Sequence, residues 1–363
     1  MKSIYLDNNA TTQLDPRVLI AMYHHKGPLN PSSVHAFGRE AKSLLTDARR
    51  KIADYLGVNH LEIIFTSGAT EGLNSALFAL AHKGSLITSN IEHSAIYETA
   101  LHLKEKGTNV HFLKSNETGQ ISPEDLEKAI DSSTSAIALS AVNSETGVKN
   151  DIEAFGEIAK KHQVPLIIDG VALMGKEEFE IPDGVSVMCF SAHKLHGPHG
   201  TGFSFVRSGV KLAPYLIGGG QEFSKRAGTE NLEGILGMAE AVHLLKEELP
   251  EKSHQMEDLR DRFELALMKS MDITINGTGP RVCNVSNISF KDIDGETLLM
   301  KLDQKGVAVS HGSACASGAL EPSRVLRNMG IDHKRSKNSL RISLSRFTTR
   351  EEIKEAVRII KSI

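Results

Sequence analysis

The chain has 363 residues, too many for one small core, and its length points to a large and a smaller domain. Apolar residues make up 40% and charged residues 24%, and a net charge of −3 gives no general reason to expect nucleic acid or an anionic membrane as a partner. With no Trp there is little for base stacking, no apolar run is long enough for a transmembrane helix, and Cys189, Cys283 and Cys315 are too scattered for a disulfide framework or a CxxC zinc site.

The N-terminal MKSIYLDNNATT turns polar after Tyr5 and lacks the apolar core of a signal peptide, so a cytoplasmic location is expected. EIIFT at 62–66 reads as a strand leading into a helical SGATEGLNSALFALAHKG at 67–84. SLITS at 85–89 leads likewise into IEHSAIYETALHLKEKG at 91–107, and NVHFLKS at 109–115 follows. AIALSAV (136–142), VPLIID (164–169), VSVMCFS (185–191) and GFSFV (202–206) continue the β-rich series. Continuous apolar strands alternating with helices predict a mainly parallel sheet covered on both faces, with the chemistry at the strands' carboxyl ends. A long helical stretch from Glu230 to Lys269 comes next, with PEKS at 250–253 placed to bend it. Beyond it, CNVSNISF (283–290), VAVSHG (307–312) and SLRISLS (339–345) read as strands, and ETLLMKLDQKG (296–306) and REEIKEAVRIIKS (350–362) as helices. The expected organisation is a large domain over 15–250 and a small α+β C-terminal domain over 251–363, joined by the N-terminal segment 1–14.

Several short stretches carry chemistry. SGATEGLN at 67–74 puts a helix N-terminus after a strand, where backbone N–H groups and the Thr70 hydroxyl suit an anion. An ordinary cap with Thr70 and Glu71 in the first turn explains the same residues. In FSAHKLHGPHGTG (190–202), Lys194 follows a strand and would form a Schiff base if its site lowers its pKa; a surface loop lysine is the alternative. Asp169 ends a buried-looking strand and needs a cation or several donors, which a pyridinium nitrogen or a helix cap would supply. His93 follows another strand and either stacks on a planar cofactor or caps a helix. Arg341, among apolar residues in SLRISLS, holds a carboxylate bidentately or makes a structural ion pair. An anion cradle, a loop lysine, a strand-end Asp and a histidine are together the parts of a pyridoxal phosphate site.

These stretches, with NPSSVHAFG (30–38), FTSGATE (65–71), SAHKLHGPHGTG (191–202), GGGQEFSKRAGTEN (218–231) and GSACASG (312–318), occur in the order found in one family. The chain resembles the pyridoxal-phosphate-dependent cysteine desulfurases of the NifS/IscS type, within the class V aminotransferases, from YLDNNATT (5–12) to SLSRFTTREEI (343–353). The resemblance implies an α/β, fold type I transferase with a large, mainly parallel-sheet domain, a small C-terminal domain and a homodimer. Lys194 would carry the cofactor, Asp169 would hold the proton on the ring nitrogen, and His93 would stack on the ring. Ala69, Thr70, Ser191 and His193 would surround the phosphate, and Thr229 would reach the phosphate of the neighbouring subunit. Asn30 and Arg341 would bind the substrate carboxylate. Cys315 would take sulfur from L-cysteine as a persulfide, leaving L-alanine, and pass it to an acceptor such as an iron–sulfur scaffold or a tRNA-thiolation protein; no metal is implied.

The small residues around Cys315 suit a cysteine that must reach a cofactor and then a partner. His311 would lower its thiol pKa if protonated, or is simply a solvated loop histidine. Cys189 and Cys283 lie in apolar runs and read as inert core residues. A selenocysteine lyase, and a partner-binding paralogue with weak or no turnover, are alternative readings of the same residues.

The chain departs from the family pattern at Ala172, where a Gln is usual, and at Ser144, where an Asn is usual; both amides would contact the ring near its phenolic oxygen. Asn143 is adjacent, but in an extended segment it would point elsewhere. The usual C-terminal tail that helps dock an iron–sulfur scaffold is also missing after Ile363, which puts scaffold delivery by that route in question. A lost hydrogen bond to a charged oxygen costs about 1.5–3 kcal/mol. Cofactor binding is therefore expected to be weakened or electronically altered, and Ala172→Gln should tighten cofactor retention on dialysis. Tight retention and an ordinary absorbance in the parent protein, with no gain in the variant, would contradict this.

Overall fold

The apolar runs of the first two thirds assemble into one sheet. A computed structural model describes residues 3–25, 27–312 and 322–363. Its strands, in chain order, are β1 (Ile4–Tyr5), β2 (Ile63–Thr66), β3 (Ser85–Ser89), β4 (Val110–Leu113), β5 (Thr134–Ser140), β6 (Leu166–Asp169), β7 (Val185–Ser191), β8 (Gly202–Val206), β9 (Ile273–Ile275), β10 (Val285–Phe290), β11 (Val307–Ala308) and β12 (Ser339–Ser343). Strands β2 to β8 form a seven-stranded sheet in the order β2-β8-β7-β6-β5-β3-β4. The five strands from β7 to β4 run parallel, whereas β8 is antiparallel to both of its neighbours. Two antiparallel steps restore the direction, so the carboxyl end of β2 reaches the same rim as that of β7.

The strands read as continuous apolar runs because both faces are buried. Leu166 and Ile168 of β6 share one core with Ile137 and Leu139 of β5, while Ile167, Ala136 and Ala138 point into the core on the other face. The chain passes from β3 out to β4 and then back across to β5, which leaves a switch point between β3 and β5. Crevices at such points, outside the carboxyl ends of the strands, are where open α/β sheets bind ligands. Helices Pro16–Tyr23, Ala36–Leu56 and Ile152–His162 add to the elements expected from sequence.

A second core gathers Leu259, Phe263 and Leu267 with residues of β10 and β12 and of the amphipathic helix Arg350–Lys361. Ile4 and Leu6, from the opposite end of the chain, belong to it as well. β10 lies between β12 and β9 in an antiparallel sheet, and β1 pairs in parallel with β11. A division at 251 falls inside a single helix, Leu232–Met268, which runs through Pro250 without interruption. Proline in a helix interior costs about 3 kcal/mol. Packing offsets that cost, since Ile235, Met238, Val242 and Leu245 are buried in the large core and Phe263 and Leu267 in the second one.

The N-terminal segment runs along the seam between the two cores and ends in a buried charge cluster. Asp15 accepts hydrogen bonds from Arg346 at 2.5 Å and Arg17 at 2.7 Å, and Arg346 also reaches Glu248 at 2.7 Å. The Asp15 and Arg346 side chains are 1% and 4% exposed. Removing one member of a buried pair costs about 3–5 kcal/mol when its partner is left uncompensated, and here Glu248 still pairs with Arg346, so the lower end applies. Asp15→Ala is expected to lose about that much stability in a urea titration, and a change within experimental error would show that the seam does not rest on this pair.

Candidate active site

Four strands end at the switch point, and each delivers a side chain. β3 ends at Ser89, and a short turn then carries Glu92 and His93. β5 ends at Ser140, ahead of Asn143 and Ser144. Asp169 is the last residue of β6, in register with Ser140 and Cys189 on either side. β7 ends at Ser191 and passes into the single 3-10 turn Ala192–Lys194. Around them lies a cavity of about 210 Å3, whose lining includes Ala69, Thr70, His93, Ser144, Asp169, Ser191, His193, Lys194 and Arg341.

The helix Ala69–Leu80 starts at this rim because two backbones approach closely. Gly202 pairs with Thr66 on one side and Ser191 on the other. A Cβ at Gly202 would lie 2.4 Å from the Phe190 carbonyl and 2.6 Å from the Gly68 Cα, so only glycine fits. The helix N-cap is Gly68, with no side chain capping it, and the Ala69 amide donates to Ser191 Oγ at 2.8 Å. Thr70 does not cap this helix; Glu71 turns away to accept from the Ser67 amide and to pair with Arg226. A helix N-terminus whose capping residue is glycine, opening on the cavity, is suited to a phosphate.

His93 and Asp169 each make a backbone-capping contact and also line the cavity. His93 Nδ1 accepts from the Ala95 amide at 3.1 Å and caps the helix Ser94–Glu105, so the proton of a neutral ring sits on Nε2. Asp169 accepts from the Val171 amide at 3.0 Å. Burial raises the Asp169 carboxyl above its ordinary range, while the positive fields of His93 and Lys194 pull it back. A buried carboxylate at a strand end beside cations suits a protonated ring nitrogen. The Lys194 ammonium donates to the main-chain carbonyls of Asn9 and of Ala10, the latter at 2.8 Å. His193 meets Thr11 at 3.1 Å, and burial pushes its ring down to about 4, with the charge of Lys194 adding to the effect.

Arg341 makes the structural ion pair expected of it and also lines the cavity. One guanidinium nitrogen pairs with Asp7 at 2.8 Å and another reaches the Ser144 carbonyl at 3.3 Å. Its Nε is buried and has no hydrogen-bond partner among the described residues, and the residue lines the cavity. A helix N-terminus, a buried carboxylate, a histidine and a lysine on one cavity therefore fit pyridoxal phosphate.

Other sequence expectations are not gathered here. Asn30 lies outside the cavity lining, and its side chain accepts from the Ser32 amide at 2.9 Å. Thr229 is exposed and also outside the lining. Cys315 lies outside the described residues. The His311 ring pairs with the Lys337 carbonyl at 2.8 Å. Burial pushes the Cys189 and Cys283 thiols up to about 12, as inert core cysteines require. The segment around Asn143 is a turn and not an extended run: Asn143 Oδ1 accepts from the Glu145 and Thr146 amides, and its Nδ2 donates to Ile91. Its amide is spent on that turn and does not replace the missing one at Ser144. Sequence reading assigned no role to Asn8, Asn9 or Lys176, which also line the cavity. The amide-rich DNNATT was the available signal for the first two; nothing local marks Lys176.

Buried neutral histidines beside the site make folding pH-dependent. His196 donates Nδ1–H to the Gln13 carbonyl at 2.7 Å, and burial pushes its ring down to about 3, with Lys176 and Arg346 adding to the effect. An unfolded histidine titrates near ~6.5. The unfolded chain then binds more protons below that value, and the stability present above it is lost as pH falls toward the folded value. Stability should therefore drop on acidification from neutral pH. His196→Gln should flatten that slope, and an unchanged slope in chemical denaturation would refute the assignment.

The class-V aminotransferase family model matches residues 4–356. A cysteine desulfurase of Trichormus azollae is 38% identical over 372 aligned positions, covering 100% of this chain and 93% of the relative. A cysteine desulfurase IscS of Methanosarcina thermophila is 38% identical and covers 100% of this chain and 92% of the relative. Among solved structures, a NifS-like protein superposes with a TM-score of 0.91 at 36% identity, covering 99% of this chain and 98% of that one. The structure described as SspA in complex with cysteine matches with a TM-score of 0.85 at 30% identity, over 96% of this chain and 100% of that one. With the rim geometry and a match across nearly its whole length, the chain belongs to the class-V aminotransferase family.

Proposed function

We propose that this protein is a pyridoxal-phosphate-dependent cysteine desulfurase that converts L-cysteine to L-alanine and holds the released sulfur on Cys315. The observation that carries the reading is the convergence of Lys194, Asp169, His93 and Arg341 on one cavity. The desulfurase names of its relatives, and the bound cysteine of the SspA structure, support the same substrate.

Pyridoxal phosphate, when bound, supplies an electron sink for charge developing at the substrate α-carbon. Lys194 is the covalent anchor and carries protons to and from carbon. Asp169 keeps a proton on the ring nitrogen, and the N-terminus of the helix Ala69–Leu80 with Ser191 holds the phosphate. Arg341 orients the substrate carboxylate. Sulfur transfer needs no external oxidant. The Cys315 thiolate attacks the substrate sulfur, an S–S bond forms, and the Cβ–S bond breaks with its electron pair kept by carbon, which then takes a proton. A homodimer, with the exposed Thr229 serving the neighbouring subunit, belongs to the same reading, as do a cytoplasmic setting and a sulfur-acceptor protein for iron–sulfur assembly or tRNA thiolation.

The test is to add L-cysteine to the purified protein with pyridoxal phosphate and to follow alanine, sulfide and visible absorbance. Cys315→Ala should keep the absorbance of the lysine-bound cofactor and lose alanine release, whereas Lys194→Ala should lose both. Alanine release unaffected by Cys315→Ala would refute the persulfide assignment, and faster turnover of L-selenocysteine would make selenium the element handled.

A further inference from the structure

Lys176 has no role in the reaction described above, yet it is only 4% exposed and lines the same cavity as Lys194. Its Nζ donates to the main-chain carbonyl of Lys194 at 3.2 Å. Its own carbonyl accepts from Cys283 Sγ at 3.2 Å, just ahead of β10. β10 in turn pairs with β12 in the register Asn287 to Arg341. One short chain of contacts thus joins the strand pair that carries Arg341 to the backbone of the catalytic lysine. The preceding Gly175 takes φ +77°, a conformation that favours glycine, and this turns the chain just before Lys176.

A buried ammonium is costly, and an apolar side chain of the same length would fill the space without that cost. The adjacent carboxylate does not relieve it, since Glu177 pairs with Lys149 at 2.9 Å. The Cys283 thiol, Arg346 and His196 bear on Lys176, the Lys194 main chain lies directly against its amine, and none of these is a carboxylate. Burial pushes the Lys176 amine down to about 8, with Cys283 opposing the shift and Arg346 adding to it. Its charge therefore changes within the range where such an enzyme works.

We propose that Lys176 is a positioning residue for the reaction: its buried amine holds the Lys194 carbonyl and sets the electrostatic field in which the Lys194 amine works. The cofactor part of this inference rests on the function proposed above. A cation nearby disfavours protonation of a second amine, so Lys176→Met should raise the pH midpoint of Lys194, while Lys176→Arg, which stays charged, should lower it. The midpoint is read from the visible absorbance of the lysine-bound cofactor across neutral and alkaline pH. It is read independently in cofactor-free protein, from the pH dependence of Lys194 labelling by acetic anhydride mapped by mass spectrometry. Opposite shifts in the two variants are expected, with about a tenfold loss of turnover for Lys176→Met and a smaller change in KM. Midpoints that stay put, or that move in the same direction, would overturn the proposal. Should Lys176→Met not fold, the Arg variant decides alone: a lowered midpoint supports the proposal, and an unchanged or raised one overturns it. Lys194 labelling that shifts as expected in a protein lacking cofactor absorbance would fault the functional reading and leave this one standing.

Discussion

The backbone of the N-terminal segment runs between the two cores, and its buried polar groups have to be satisfied there. Leu6 donates to Ala308 at 2.9 Å, and Ser343 donates back to Leu6 at 2.7 Å. Asn8 binds the Ser343 carbonyl, Asn9 binds the Ser144 carbonyl and accepts from Asn284, and the Thr12 amide donates to His193. A buried N–H or C=O without a partner is expensive, so these residues lock the two cores and the cavity wall into one arrangement. The carbonyls of Asn9 and Ala10 that face Lys194 are part of the same segment. Chain entry, domain seam and active site are thus held by a single run of residues.

That seam surrounds a site in which charge is placed away from water. Glu92 is fully enclosed, with Ser89 donating to it at 2.6 Å and Ser140 on its other oxygen. Burial raises its carboxyl to about 7 despite these bonds, and the charge of Asp169 adds to the effect. Asp169, Glu92, His193 and Lys176 all leave their ordinary ranges within one rim of the sheet. Clustering of shifted groups in a cleft is the pattern expected where protons are moved. The rigid, doubly buried strands beneath allow it, because side chains at strand ends inherit the precision of a packed core.

Much of this was legible locally. β3, β7 and β8 fall where the apolar runs ended, and His93, Asp169 and Lys194 stand just at or past strand ends, where an open α/β sheet keeps its chemistry. The direction of β8 was not legible, because an apolar run of five residues carries no sign of parallel or antiparallel pairing. The helix runs on through Pro250, whose local cost is offset by helix neighbours buried in two separate cores. Asn143 looked extended and is the hinge of a turn, its oxygen taken by the two amides that follow.

By itself, the sequence determined the α/β class, the strand-end placement of the reactive side chains and the family likeness, since each rests on neighbours a few residues apart. Only the tertiary structure decided which distant groups converge. It brought Asp7 and Ser144 to Arg341 and set Lys176 against the Lys194 carbonyl. It also decided the state of those groups, because desolvation depends on what the whole fold packs around a charge and no local pattern records it.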